Sequence, residues 1–290
     1  MNNSKEEKEY LEKYNIEDFD RPSLTVDIAL FSIIKDRPAE NIRKLDKNEL
    51  KILLIKRGTH PYKDYWALPG GFCKKYENVI DAAKRELREE TNVQDTYITI
   101  INAYGKENRD PRGWIVSNTF LSLVDASRCH LKVGSDAWES QWFTVSFSVK
   151  NTQQNQSDSI KETKTIYELN LKGKEDMLSC EVEESIEISL NHENTDYKIL
   201  NSDLAFDHAE IILNAILRLR KEIEYDKSMI FNIMPRTFTM AMLEDAFSLI
   251  LGKKIIKTNF NRDMAKYVEE TGEIISDKAH RPSKVFKRKL

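Results

Sequence analysis

The chain has only three cysteines in 290 residues, Cys73, Cys129 and Cys180. Their odd number and the absence of any CxxC exclude a disulfide framework and a cysteine zinc site. The five histidines show no metal-ligand spacing. No apolar run reaches the roughly 18 residues that a membrane helix needs. The charged stretch from Met1 to Asn15 contains no apolar leader core. The expectation is a protein of the reduced cytoplasm, with no membrane partner. The apolar fraction of 40% supports real cores, and the length suits one large or two ordinary domains.

The formal charge of -3 hides an asymmetry. Gly252 to Leu290 holds 11 Lys/Arg against 5 Asp/Glu, leaving 34 against 43 elsewhere. A basic end on an acidic chain suits a polyanion partner, or else is a solvated face.

Along the chain, residues 1–20 read as a short helix or arm. Leu24–Ile34 and Leu50–Arg57 read as strands, with a loop at Asp36–Glu49 between them. Tyr97–Ala103, Trp114–Val124 and Gln141–Val145 continue the strand pattern. Lys150–Asp203 is acidic, with 12 Asp/Glu against 6 Lys. It opens on a polar stretch that reads as a flexible connection. Short strands at Ile166–Leu171, Leu178–Val182 and Ile186–Leu190 follow, as a hairpin extending the sheet or as a spacer. From Phe206 the apolar period becomes helical, with Asp207 placed as an N-cap. Thr239 caps a second helix that ends at Gly252. Asn259–Tyr267 forms a third. Val268–Ile275 and Ser283–Phe286 read as two strands. Three helices followed by a β-hairpin is winged helix-turn-helix order.

Gly71–Val93 carries the densest pattern. Val79, Ala83 and Leu87 recur every four residues, one stripe of a helix. Glu86, Glu89 and Glu90 lie at i, i+3 and i+4, so their carboxylates share a face and repel. A hard divalent cation relieves that repulsion, and Mg2+ takes carboxylate oxygens together with water and phosphate. Arg85 is placed to hold one glutamate bidentately. Asn92 stands where the helix must end and tolerates the left-handed backbone.

Read by spacing, the stretch is Gly71, five residues, Glu77, seven residues, then Arg85-Glu86-Leu87-x-Glu89-Glu90-x-Asn92-Val93. It resembles the Nudix box, in which Gly usually stands at the position of Asn92. Further stretches occur in order: Leu53–Gly58, Trp66–Phe72, Arg109–Gly113, Phe206–Ile212, Phe238-Thr239, Asn259-Phe260-x-Arg262 and Arg281-Pro282. Together these look like the Nudix-related transcriptional regulators of NAD metabolism and their ADP-ribose-hydrolysing relatives.

The resemblance implies an α/β (α+β) protein. A Nudix α/β/α sandwich with a mixed sheet would span residues 21–148, and a C-terminal winged helix residues 204–290. It does not account for 149–203. It implies Glu86, Glu89 and Glu90 as ligands of Mg2+ or Mn2+, one of the latter two as a base. Glu77 would be an outer or second-metal ligand, and Arg85 structural within the catalytic set. The implied ligand is ADP-ribose or a related nucleoside diphosphate derivative. Arg57, Arg109 and Arg112 would contact its phosphates or ribose, with the Gly70-Gly71 backbone approaching closely. Arg109 is equally suited to an ion pair with Asp110. Tyr104 and Trp114 either stack on adenine or pack in the core. His208 reads as a capping or interdomain histidine rather than a base. For double-stranded DNA the candidates are Lys257, Asn259, Asn261, Arg262, Lys266 and Lys284. A homodimer is expected, because winged-helix readers use two half-sites. The activity implied is hydrolysis of the pyrophosphate to AMP and ribose 5-phosphate, or else ligand sensing coupled to DNA binding.

Overall fold

A computed structural model describes residues 5–36, 47–93, 96–131, 137–157, 159–275 and 282–289. The first half runs α1 (Lys5–Lys13), β1 (Ser23–Asp36), β2 (Lys47–Arg57), β3 (Trp66–Ala67), β4 (Gly70–Phe72), α2 (Val79–Thr91), β5 (Tyr97–Tyr104) and β6 (Ile115–Leu123). The second runs β7 (Ala137–Gln156), β8 (Ile160–Lys172), β9 (Met177–Ser189), β10 (His192–Ser202), α3 (His208–Tyr225), β11 (Thr237–Thr239), α4 (Met240–Leu251), α5 (Lys257–Met264), β12 (Val268–Ile275) and β13 (Ser283–Arg288).

Ten strands form one mixed sheet in the order β10-β9-β8-β7-β2-β1-β6-β5, with β3 on β2 and β4 on β1. Only β1 and β6 pair in parallel among its described ladders. β1 is apolar almost throughout because it is covered on both faces. Val26, Ile28 and Leu30 pack with Ala82, Ala83 and Leu87 of α2. Ala29 and Phe31, on the opposite face, join Ile211, Ala215 and Leu219 of α3.

The acidic stretch extends the sheet, one of the two alternatives expected, but it departs from the expectation in its details. It holds no flexible connection at 150–156, where β7 continues to Gln156 in register with β8. Its strands also span 160–172, 177–189 and 192–202, well beyond the short segments expected. Their outer residues are mostly polar, and even Val149, Ile160 and Ile188 among them are exposed, so backbone pairing more than burial makes these parts strands. The inner ends are buried: Leu169, Leu171, Leu178, Cys180 and Val182 join the core under α3. One acid of this stretch, Glu184, is buried, and the hydroxyls of Tyr167 and Tyr197 each donate to it at 2.9 Å.

β11, β13 and β12 form the second sheet beside α4 and α5. Three helices and a hairpin thus take the winged-helix order, the third helix spanning Lys257–Met264 rather than 259–267. Thr239 caps α4 by accepting from the Met242 amide, and Gly252 closes it at φ 66°. α1 buries none of its residues. The loop read at Asp36–Glu49 is bounded by strands reaching Asp36 and Lys47, and residues 37–46 lie outside the described residues, as does Arg281.

Candidate functional site

α2 is built as its spacing requires. Asn78 caps its start by accepting from the Ile80 amide, and Asn92 ends it in the left-handed conformation at φ 57°. Arg85 donates to both oxygens of Glu77, at 2.8 and 3.0 Å, and to Glu86 at 2.6 Å. It therefore ties the loop before α2 to the helix. The Arg85 hydrogen bonds pull the Glu77 carboxyl down to about 2, helped by the Lys74 amide. Glu77 is thus fully engaged within the protein.

Glu90 is buried, and its Oε2 has no hydrogen-bond partner. Burial holds its carboxyl well above the ordinary range, and nearby Glu86 pushes the same way. Burial also raises Glu86, against the pull of Arg85. Glu89 is half-exposed, 3.7 Å from Arg85. Across from this face lie Gly70 and Gly71. A Cβ on Gly71 would stand 2.3 Å from Oε1 of Glu86, and one on Gly70 2.1 Å from the carbonyl of Val26. Backbone bars a side chain at Gly70, and one at Gly71 would have to push the Glu86 carboxylate out of its place. Among the described residues no three His, Cys, Asp or Glu form a preassembled metal shell. Even so, an orphaned buried carboxylate oxygen beside two more glutamates is a donor set that a hard cation would satisfy.

On the other side of the glycines is a cavity of about 110 Å³. Arg57, Gly70, Gly71, Arg109 and Arg112 all line it, so the structure brings together the five residues expected at the ligand. Their partners differ from the expectation. Arg109 does not pair with Asp110; it forms a bidentate pair with Asp207, at 2.6 and 2.7 Å, and lies 3.8 Å from Asp27. Arg112 takes Asp110, at 2.7 Å. The Arg112 guanidinium also lies over the rings of Phe72 and Phe206, and Arg57 lies over Phe206. Tyr104 is buried, and its hydroxyl accepts from Asn214 at 2.7 Å. Trp114 is exposed and lines a neighbouring cavity formed by the loop 105–115.

Among the residues of this site that were not expected in it, four shape its chemistry. Phe206, Asp207 and His208 enter from the segment that starts α3. Asp207 does not cap α3 with its side chain, because Arg109 holds the carboxylate. Phe206 sits at φ 54°, unusual for a bulky residue. His208 is buried; its Nδ1 accepts the Leu68 amide at 2.8 Å and its Nε2 lies 3.6 Å from Asp27. Burial lowers its pKa, in keeping with an Nδ1 that accepts rather than donates. Asp27 is the fourth, an acid that interrupts the apolar run of β1. That interruption was its signal in the sequence.

In the winged helix, Lys257, Asn259, Arg262, Lys266 and Lys284 are exposed. Asn261 instead turns its Oδ1 inward, where it has no partner. Several cations are paired: Lys284 with Glu270 at 2.8 Å, Lys287 with Glu269 at 2.9 Å, and Lys257 with Glu244 at 3.8 Å.

Comparison with known proteins agrees with this construction. Residues 37–169 match the NUDIX domain family, and residues 230–287 match the NrtR DNA-binding winged helix domain. The ADPR responsive transcriptional repressor NtrR of Acinetobacter baylyi is 27% identical over 93% of this chain and 84% of its own length. An ADP-ribose pyrophosphatase of Methanocaldococcus jannaschii is 38% identical over 37% of this chain and 63% of its own, so the chain spans less than two thirds of that relative. A MutT/nudix family protein of Enterococcus faecalis superposes with a TM-score of 0.65 at 27% identity, over 98% of this chain and 93% of the other. Shewanella oneidensis NrtR, in complex with a 27mer DNA, shares the fold with a TM-score of 0.56 at 23% identity, over 92% and 93% of the two chains. A complete acidic helix behind two glycines, an arginine-lined cavity and a winged helix in series thus agree with a chain that joins a NUDIX domain to an NrtR-type DNA-binding winged helix domain.

Proposed function

We propose that the chain hydrolyses the pyrophosphate bond of ADP-ribose or a related nucleoside diphosphate derivative, giving AMP and ribose 5-phosphate from ADP-ribose. The observation that carries this reading is the buried Glu90 carboxylate with an unpartnered oxygen, set against Glu86 and Glu89 and separated from the arginine pocket by two glycines. Glu86, Glu89 and Glu90 would hold Mg2+ or Mn2+, with Glu77 as an outer support through Arg85. The cation supplies charge neutralisation at the phosphates and activation of water. The chain's own residues do the rest. Arg85 fixes the glutamates, the side-chain-free backbone at Gly70 and Gly71 lets phosphate approach, and Arg57, Arg109 and Arg112 bind its oxygens in planar forks. A metal-dependent screen of nucleoside diphosphate derivatives tests this. AMP release from ADP-ribose is expected with Mg2+ and is lost in Glu89→Gln; no release from any dinucleotide at saturating Mg2+ rules the reading out.

A second reading is favoured by the winged helix and by the full-length likeness to an ADPR responsive repressor. In it the same pocket senses the ligand, and Lys257, Asn259, Arg262, Lys266 and Lys284 contact double-stranded DNA as a homodimer in the cytoplasm. The two readings are compatible, since hydrolysis would end the signal.

A further inference from the structure

We propose that the Arg109–Asp207 ion pair is a latch which the anionic group of a bound ligand displaces, and that Asp207 then moves to cap the helix it starts, passing pocket occupancy along α3 to the winged helix. This rests on the reading that the pocket takes a nucleoside diphosphate.

The pocket in its present form is narrow, though open to solvent on one side. At about 110 Å³ it is far below the roughly 300–1,000 Å³ of ordinary small-molecule sites. Seating a nucleoside diphosphate deep against the arginines therefore requires a wall to move. Most of the wall belongs to strands and loops of the large sheet. The exceptions are Phe206 and His208, which flank Asp207 at the start of α3.

Asp207 also occupies the guanidinium that a phosphate would use. Arg109 is 5% exposed and Asp207 14%, and the two make parallel hydrogen bonds of 2.6 and 2.7 Å. A second anion cannot share that dry fork with Asp207 without strong repulsion, so ligand and carboxylate exclude each other.

The displaced carboxylate has a second seat beside it. Aspartate is among the strongest N-cap residues, and in the same chain Asn78 and Thr239 both cap with their side chains. Asp207 alone of these three does not, and its φ of -94° and ψ of 19° lie outside the extended region that caps adopt. Its neighbour Phe206 is held at positive φ, a strained state for a large side chain. Release from Arg109 lets Asp207 cap the first turn and lets Phe206 relax. The element therefore has two arrangements, and a ligand anion favours one of them.

α3 carries the change across the molecule. Its 18 residues span about 27 Å. At its far end Arg220 donates to the Ile250 carbonyl at 2.9 Å, beneath Gly252, and Glu224 pairs with Lys253 at 2.6 Å. These contacts grip the junction of α4 and α5, the segment that leads into Lys257 and Asn259.

The test compares wild type with Asp207→Asn, which keeps the shape and the capping ability but removes the charge. Calorimetric titration with ADP-ribose is expected to show about tenfold tighter binding by the variant, within the usual range of coupling between sites. Hydrogen exchange at residues 207–211 and 250–257 is expected to change when wild type binds ADP-ribose, and to resemble the bound state already in the free variant. Equal affinity in the two proteins overturns the latch. So does a wild-type exchange pattern in both segments that saturating ADP-ribose leaves unchanged, and this measurement decides alone if the variant does not fold. A wild type that binds no ADP-ribose strikes the functional reading instead; inorganic pyrophosphate, which needs only the arginines, is then titrated in the same pair of proteins, and equal or absent binding overturns the latch as well.

Discussion

Glu90 and Glu210 are buried carboxylates with different neighbours, and each has a measurable signature. Glu90 faces Glu86 and lacks a partner for one oxygen, so the metal-free chain carries a local penalty there. Glu90→Gln is expected to raise the unfolding free energy of the metal-free chain by about 1 kcal/mol while ending the response to Mg2+. Thermal melts with and without MgCl2 check this; a variant that magnesium still stabilises as it does wild type contradicts it. Glu210, in the first turn of α3, is raised from 4.5 to about 7 by burial, which outweighs the pull of Lys106. Between those values the folded chain retains a proton that the unfolded chain has lost. The contribution of this group to stability therefore falls as pH rises through the window. Glu210→Gln should flatten that fall, giving a higher urea midpoint than wild type near pH 8 and little difference near pH 4. At this scale the sequence was partly legible. The glutamates and arginines showed through fixed spacing, but Asp207 read as a cap. Its residue type suits both a cap and an ion pair, and only the fold brings Arg109 to it from 98 positions away.

α2 was legible as an element because stripe, acidic face and cap agreed within thirteen residues. Of β7 to β9 only the inner parts and the Ile186–Leu190 stretch were legible as short strands, and β10 was not, because the outer part of β7 and most of β10 are polar on both faces and give no period-2 signal. Pairing with a neighbour made them strands, and pairing partners are not written locally. The two left-handed helix ends differ in a testable way. Asn92 already accepts its conformation at φ 57°, so Asn92→Gly should change stability little. Gly252 sits at φ 66°, and a Cβ there would meet the Arg220 guanidinium at 2.8 Å. Gly252→Ala is therefore expected to cost about 1–2 kcal/mol in urea denaturation, through left-handed strain and through the disturbed Arg220 contact with Ile250. An alanine variant as stable as wild type would show that Arg220 yields freely.

For the whole molecule, charge is divided between a basic end and an acidic remainder, yet the wing moderates its own cations. Glu269 and Glu270 hold Lys287 and Lys284. Under the DNA-binding reading, replacing both acids by glutamine should tighten binding to duplex DNA. It should also steepen the dependence of log K on log salt by roughly 1–2, about one unit for each phosphate that a freed lysine neutralises. Fluorescence anisotropy at several salt concentrations measures it, and an unchanged slope would exclude both lysines from contact with DNA phosphates. The winged-helix order was legible because three helices and a hairpin follow one another. The attachment of α3 to the large sheet was not, since its partners come from strands scattered along the whole first part of the chain.

That attachment bears on how the protein is made. Every strand of the ten-stranded sheet precedes α3 in the chain, so during synthesis the sheet leaves the ribosome before the helix that covers it. Until α3 arrives, Phe31, Ile52, Leu54, Leu169, Leu171 and Val182 face water on one side of a broad sheet. The nascent chain passes through a stage of high chaperone demand that ends only when the Phe206–Tyr225 segment is released.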